Sequence, residues 1–127
     1  MAEAARRARR GRLSRAAEFE RVYRQGRSQG NRFFVLYSFP RGGDEAPRLG
    51  VSVSRKVGGA VDRNKVKRLL REAFGTLADR LPADQDVVVV ARPEVRELAE
   101  RDGLEGVRGA LAELVEKSAA GGESEGP

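Results

Sequence analysis

The chain has 127 residues, of which 39% are hydrophobic, and its 25 Lys and Arg residues against 19 Asp and Glu residues give a formal net charge of +6. This length allows one domain with a single core. The chain contains no cysteine and no histidine, which excludes disulfides, thiolate zinc sites and every catalytic mechanism that uses imidazole. The N-terminus is rich in Arg and lacks the apolar segment of a signal peptide, so we expect a cytoplasmic protein.

The N-terminal part predicts a basic arm followed by a short helix. Residues 1–12 are rich in Ala and Arg and form the arm. Ser14 has the side chain of an N-cap, and Phe19 and Tyr23 then share one helical face before Gly26 ends the helix. The helix therefore presents an aromatic edge.

Two strands are expected next. Asn31 to Phe39 alternates in the manner of a strand, and the Gly and Pro residues within 40–43 mark a turn. Arg48 to Ser54 then pairs with the first strand, and its face carrying Gly50 and Ser52 is small and polar. Such a face can accept a ligand backbone.

The following segment predicts an amphipathic helix whose polar side is basic. Asp62 is expected to be its N-cap, and Gly58 and Gly59 allow the preceding loop to approach a ligand closely. The apolar side is formed by Val66, Leu69, Leu70, Ala73, Phe74 and Leu77, and the polar side by Arg63, Asn64, Lys67, Arg68 and Arg71. Glu72 is the only acid between Arg63 and Phe74, so these charges are not balanced at i, i+4. A bound polyanion would neutralise them.

Positive charge is concentrated in the first 71 residues, which carry a net charge of +13, whereas residues 72–127 carry −7. Such a distribution attracts polyanions. A membrane surface is the weaker interpretation, because the basic helix lacks an aromatic-rich apolar face and the longest apolar run, Val87 to Ala91, is too short to span a bilayer. We therefore expect a nucleic acid as the partner and no membrane association.

The C-terminal half predicts a loop at Pro82 to Asp86, an interior strand at Val87 to Ala91 and a final amphipathic helix. The helix is marked by Leu104, Val107, Leu111, Leu114 and Val115, and residues 118–127 are expected to be a disordered tail. The acids Asp44, Glu45, Asp84 and Asp86 are assigned to the solvation of turns, and their scatter argues against a metal site. The order helix, strands, helix, strand, helix predicts a single α+β domain at 13–117, a two-layer sandwich with a mostly antiparallel sheet.

The basic segment also carries a family signature. The pattern K-x-G-x-A-V-x-R-N-R-x-K-R-x-x-R-E falls on Lys56, Gly58, Ala60, Val61, Arg63, Asn64, Lys67, Arg68, Arg71 and Glu72. Three further pieces occur in order, namely R-L-x-x-x-x-E-F with V-Y, N-R-x-F-V-L-Y and G-V-S-V-S-R-K-V-G. From Arg12 to Val115 the chain thus resembles the protein subunit of bacterial ribonuclease P. One departure is Lys65, which stands where the signature has Arg and loses the planar fork that binds phosphate with two hydrogen bonds.

The resemblance implies two sets of RNA-binding residues and a function. The set for the RNA subunit comprises Arg55, Lys56, Arg63, Asn64, Lys65, Lys67, Arg68 and Arg71. The set for a cleft that holds the single-stranded 5′ leader of precursor tRNA comprises Arg12, Phe19, Tyr23, Tyr37 and Ser52, although core packing is an equally good interpretation of Phe19. The implied function is to assist a catalytic RNA in removing the leader.

The resemblance also implies how the labour is divided. The RNA positions magnesium and performs hydrolysis, no metal or cofactor is expected on the protein, and one protein monomer pairs with one RNA. The strand, basic helix, strand segment is expected to form a left-handed crossover, against the general right-handed rule.

Two other classes remain open. A ribosomal or other structural RNA-binding protein would share the basic helix, but would show no preference for precursor over mature tRNA. A DNA-binding module would need a helix-turn-helix pair, whereas strands flank the basic helix here on both sides.

Overall fold

The chain folds into a four-stranded sheet with three helices. The structure is a computed structural model that describes residues 12–13, 15–41, 47–81 and 85–119. The helices are α1 (Ala16–Gln25), α2 (Ala60–Leu77) and α3 (Val95–Ala119). The strands are β1 (Arg27–Gly30), β2 (Phe34–Pro40), β3 (Arg48–Val53) and β4 (Gln85–Ala91), and a 3-10 turn, Ala78–Arg80, follows α2. The predicted α+β class and the order of its main elements are confirmed.

The strand order in the sheet is β1-β2-β4-β3. Both β1 with β2 and β2 with β4 pair antiparallel, whereas β3 and β4 pair parallel, so the sheet is mostly antiparallel as predicted. The expected pairing of β2 with β3 is wrong, because β4 lies between them. This central position suits a strand whose residues Val87, Val88 and Val89 are all buried. The β3–α2–β4 unit is the predicted crossover, and its left-handedness stays a prediction.

Two helices begin elsewhere than expected. The N-cap of α1 is Arg15 rather than Ser14, and the carboxylate of Glu18 accepts a hydrogen bond from the Arg15 backbone N–H at 3.3 Å. The N-cap of α2 is Gly59 rather than Asp62. Asp62 instead lies in the first turn, where a negative charge is favoured by the helix dipole.

One face of the sheet carries the main core. The apolar side of α2 packs there against Leu36, Val89 and the inward face of α3. All six predicted apolar positions of α2 are buried, as expected. The residues that fill this core most completely are Phe34, Leu36, Leu70, Leu111 and Leu114. Because the six buried positions of α2 recur at helical spacing, its basic side must face outward.

The other face of the sheet is covered by α1 with far fewer apolar contacts. The buried residues there are Leu13, Val22 and Val88, with Phe19, Tyr37, Phe39 and Val90 packed against them. The alternation along β4, where Val87 and Val89 face one layer and Val88 the other, places α1 opposite α2 and α3. The helices therefore lie on both sides of the sheet.

Several boundaries differ from the sequence-based expectation. Strand β1 was not predicted, and α3 starts at Val95 and is interrupted at Gly103, whose φ is 57°. Residues 118 and 119, assigned to the tail, belong to α3, and Gln85 and Asp86, assigned to a loop, belong to β4. The arm at 1–11, Ser14, the turn and acids at 42–46, residues 82–84 with Asp84, and the tail at 120–127 lie outside the described residues.

Candidate nucleic-acid interface

Among the elements that the structure describes, helix α2 presents the largest set of unneutralised positive charges. Lys65, Arg68 and Arg71 are exposed on it, and Arg63 and Lys67 are half-buried. Among the described residues, the only acid within ion-pair distance of this basic side is Glu72, which lies 4.0 Å from Arg68. An exposed pair at that distance contributes little, so the positive potential of the helix is left almost intact.

The acid at the start of α2 is neutralised from another helix. A carboxylate oxygen of Asp62 lies 3.5 Å from Nε of Arg96, which belongs to α3. Arg96 thus partly offsets the negative charge of Asp62 within the first turn, and Asn64 is exposed next to it. The start of α2 therefore adds its dipole and backbone N–H groups to the positive side chains.

The turn between β3 and α2 extends the same basic surface. Arg55 and Lys56 are exposed in it, and the N–H of Gly58 donates to the carbonyl of Arg55 at 3.2 Å. Gly58 has a φ of 156°, and a Cβ there would lie 2.7 Å from a carboxylate oxygen of Asp62. Only glycine fits this position without strain, so the turn packs closely against the helix start.

The aromatic residues predicted from sequence come together on the α1 side of the sheet. The ring centroids of Phe19 and Tyr23 are 6.5 Å apart, and those of Tyr23 and Tyr37 are 5.0 Å apart in an edge-to-face arrangement. Tyr23 is 38% exposed. A pair of rings that is partly open to solvent can receive a base by stacking, which a core aromatic cannot.

Phe19 packs on the sheet in the space left by the absent side chain of Gly50. A Cβ on Gly50 would lie 2.5 Å from the Cζ atom of the Phe19 ring. The ring therefore rests directly on the backbone of β3, and Phe19 is half-buried. This arrangement gives Phe19 a packing role, and it leaves Tyr23 and Tyr37 as the more accessible stacking surfaces.

The sheet continues beyond the aromatics as a partly open floor. Val90 is in register with Val35 on one side and with Ser52 on the other, and all three are half-buried. Ser52 shares the face of Gly50 because the two residues are i, i+2. The small, polar face predicted for β3 is thus part of this floor.

Arg92 lies at the end of the same floor and was not singled out from the sequence. Its backbone N–H donates to the carbonyl of Phe33 at 2.8 Å, and its Nη2 atom lies 3.4 Å from where a Cβ on Gly30 would be. Gly30 is in register with Val35, so the guanidinium lies over the floor. A single Arg after an apolar strand gives no signal of this placement.

Arg12 lies at the outer edge of β3, where it forms an isolated parallel bridge with Leu49. Leu13, the next residue, donates its backbone N–H to the Leu49 carbonyl at 2.9 Å. Partial desolvation of the exposed Arg71 side chain lowers its pKa, and the positive charge of Arg12 lowers it further. The two cations therefore lie near one another, and an anion between them would relieve their repulsion.

Asp86 has a different role from the one predicted. Its side chain is 0% exposed, and it accepts two hydrogen bonds of 2.9 Å from Nε and Nη2 of Arg48 and a third from Arg41. Burial alone raises the pKa of Asp86, but the hydrogen bonds from Arg48 and Arg41 outweigh it and lower the pKa below its ordinary value. The assignment to turn solvation is wrong, because its arginine partners are 38 and 45 residues away in sequence.

Neither a metal site nor a membrane span was found in the described part of the chain. Within residues 12–13, 15–41, 47–81 and 85–119 no group of three or more acidic side chains could hold a metal ion. Across the same segments no helix is both long and apolar enough to cross a membrane.

Comparisons with known proteins identify the family of the chain. A family model described as Ribonuclease P matches residues 8–115. The ribonuclease P protein component of Shouchella clausii is 43% identical over 107 residues, which are 84% of each chain. The structure of the Staphylococcus aureus RNase P protein is 34% identical with a TM-score of 0.75 and covers 85% of this chain and 94% of that one. The RNase P protein from Thermotoga maritima is 36% identical with a TM-score of 0.75, covering 84% and 96%. The chain belongs to the ribonuclease P protein family, whose members are the protein components of a tRNA-processing ribonucleoprotein endonuclease.

Proposed function

We propose that this chain assists the ribonuclease P RNA by binding the RNA subunit on one side and the 5′ leader of precursor tRNA on the other. The single observation that carries the proposal is the separation of two RNA-binding chemistries across one sheet. Unneutralised cations line α2, and partly exposed aromatics lie on α1 and on the strand beneath it, on the opposite side of the sheet. One compact domain can then contact two RNAs at once.

The basic side of α2 and the turn before it hold the RNA subunit in this proposal. Cations that neutralise phosphates release condensed counterions, so binding should weaken steeply with salt. Arg63 and Arg68 can grip phosphate with two hydrogen bonds, whereas Lys65 acts as a single point charge. Lys65 is exposed, so the loss of one fork there leaves the rest of the surface unchanged.

The leader lies along the floor beneath α1. Bases of any sequence stack on aromatic rings at about 1 to 3 kcal/mol each, which suits a leader whose sequence varies between tRNAs. Tyr23 and Tyr37 provide the stacking surfaces, Ser52 a hydroxyl, and Arg92 a cation for a backbone phosphate at the far end. The single-stranded leader can follow the row of Val35, Val90 and Ser52, since none of these three side chains carries a negative charge that would repel its phosphates.

The chemistry itself belongs to the RNA in this account. The chain has no histidine and no cysteine, and the RNA supplies the magnesium-dependent hydrolysis. The protein contributes fixed positive charge where two polyanions approach, and fixed cations substitute for diffuse ones. The protein should therefore lower the magnesium requirement, acting as one monomer per RNA.

Cleavage of a precursor tRNA by a bacterial ribonuclease P RNA, measured over a magnesium series with and without this chain, tests the proposal. We expect the chain to restore cleavage at low magnesium and Arg63→Ala to weaken that rescue. Tight RNA binding without rescue would instead favour a structural RNA-binding protein. An equal affinity for precursor and mature tRNA in the reconstituted enzyme would contradict the proposal that the protein binds the leader.

A further inference from the structure

The first helix is attached to the sheet by an apolar cluster smaller than the main core. Val22 is the only fully buried side chain of α1, and it packs with Leu13 and Val88. The Phe19 ring, which rests on Gly50, adds to this contact. Apolar attraction itself has no direction, so directional contacts would restrict sliding and rotation of the helix further. Such contacts would define the positions of Phe19 and Tyr23 more narrowly than this cluster does.

A buried ionic cluster lies under the same helix. The carboxylate of Asp86 receives Nε and Nη2 of Arg48 in a two-pronged contact, with both distances 2.9 Å. Arg41 donates to the same carboxylate and to the Gln85 carbonyl at 3.2 Å. The planar guanidinium of Arg48 is therefore held in one orientation by β4, since a two-pronged contact fixes both position and direction.

The remaining nitrogen of that guanidinium reaches α1. Nη1 of Arg48 lies 3.0 Å from Oε2 of Glu18, and the two side chains are 23% and 20% exposed. Arg21, one turn further along α1, lies 3.7 Å from Asp86 and stacks over the ring of Phe39 at 5.6 Å. A chain of directional contacts thus runs from β4 through β3 to α1.

Glu18 immediately precedes Phe19 and lies five residues before Tyr23. Any shift of α1 that breaks the contact between Glu18 and Arg48 would also move the Phe19 ring off Gly50 and the Tyr23 ring away from Tyr37. Buried ion pairs add little net stability compared with apolar packing, but they can select one arrangement among several. The cluster is therefore suited to setting geometry.

We propose that Asp86, Arg48 and Glu18 are positioning residues that set the place of α1 over the sheet and so the shape of the leader cleft. The inference rests on the proposed function, because it assigns the cluster a role in leader binding. None of the three needs to touch RNA. Their effect should appear as a loss of preference for leader-bearing tRNA, with binding of the RNA subunit kept.

The test compares Glu18→Gln with Glu20→Gln in the reconstituted enzyme. Both substitutions lie in α1 and remove the same charge, but Glu20 pairs within the helix with Arg24 at 2.7 Å. Within the described part of the chain no hydrogen bond or ion pair joins Glu20 to the sheet. The measured quantity is the ratio of affinities for precursor and mature tRNA. An inactive fraction cancels in this ratio because both RNAs are measured on one preparation. Arg48→Lys, which keeps the charge and loses the fork, provides a second variant.

We expect Glu18→Gln and Arg48→Lys each to lower the ratio by about threefold or more, and Glu20→Gln to leave it unchanged. In a Tyr23→Ala background the effect of Glu18→Gln should shrink, because the surface that Glu18 positions has been removed. A merely structural role would lower thermal stability alike in both backgrounds and leave the ratio unchanged.

Each alternative outcome has a distinct meaning. If the wild-type enzyme shows no leader preference, the proposed function fails and the inference fails with it. If the wild type shows the preference and Glu18→Gln retains it, only the inference fails. Equal losses in Glu18→Gln and Glu20→Gln, or an undiminished loss in the Tyr23→Ala background, would also overturn it.

Discussion

The two faces of the sheet differ in the kind of contact that covers them. Toward α2 and α3 the contact is a continuous apolar core in which Phe34, Leu70 and Leu111 are 0% exposed. Toward α1 the apolar contact is small, a carboxylate is buried among arginines, and an aromatic ring remains 38% exposed. The first face can supply most of the stability because buried apolar area dominates folding. The second face is then free to be shaped for a ligand.

The largest expected effect is the loss of folding stability when the buried carboxylate of Asp86, on the α1 face, is replaced. Asp86→Asn leaves the arginines Arg41 and Arg48 facing a neutral amide in a buried site, and removing one partner of such a group costs about 3 to 5 kcal/mol. Unfolding by urea should show this loss. Asp79→Asn, the same substitution at an exposed position, is the control and should change stability by less than about 0.5 kcal/mol.

The pH dependence of stability should change in the same variant. The pKa of Asp86 is lowered in the folded protein from its ordinary value of 3.8. The stabilisation is therefore complete above that ordinary value and is lost as the pH falls through the lower folded value. Asp86→Asn should flatten the acid end of the stability curve. An unchanged curve would mean that Asp86 is not the group that titrates.

A smaller effect should separate binding from stability on the α1 face. Tyr23→Ala removes a partly exposed ring, so we expect a loss of about 1 to 3 kcal/mol in affinity for leader-bearing tRNA, with mature tRNA unaffected. Tyr23→Phe keeps the stacking surface and should retain most of the affinity. Equal losses on precursor and mature tRNA would assign Tyr23 to packing instead.

The smallest effect should be found on α2. Lys67→Ala should weaken binding of the RNA subunit and reduce the slope of log affinity against log salt by about 1, without loss of leader preference. Lys117→Ala is a matched control, because Lys117 is a basic residue of α3 whose amine lies 3.9 Å from Glu113. A similar change in slope for both variants would point to general charge attraction rather than a specific surface.

The local features of this fold could be predicted from the sequence. The six buried positions of α2 recur at helical spacing, and the run Val87 to Ala91 is apolar at successive positions, as an interior strand must be. The family resemblance grouped the aromatics, and in the structure the ring centroids of neighbouring members lie 5.0 and 6.5 Å apart. Their role in a leader cleft stays a prediction.

Long-range features could not be predicted in the same way. The sequence around Asp86 is typical of a turn, and no local pattern indicates its partners Arg48 and Arg41, because they are distant in sequence. The insertion of β4 between β2 and β3 likewise depends on how the crossover folds back. Strand β1 has the sequence RSQG, which lacks any apolar alternation. The start of α3, by contrast, carries a local signal, because Val95, Leu98 and Ala99 are apolar at helical spacing and all buried.

The separation of two RNA surfaces across one sheet is tested most directly by site-specific photocrosslinking within the assembled enzyme. A photoreactive nucleotide in the leader should crosslink to the α1 side, at Tyr23, Tyr37 or Ser52, and one in the RNA subunit should crosslink to α2, at Arg63 to Arg71. Leader crosslinks that map to the basic side of α2 would contradict the account, since both RNAs would then share one surface.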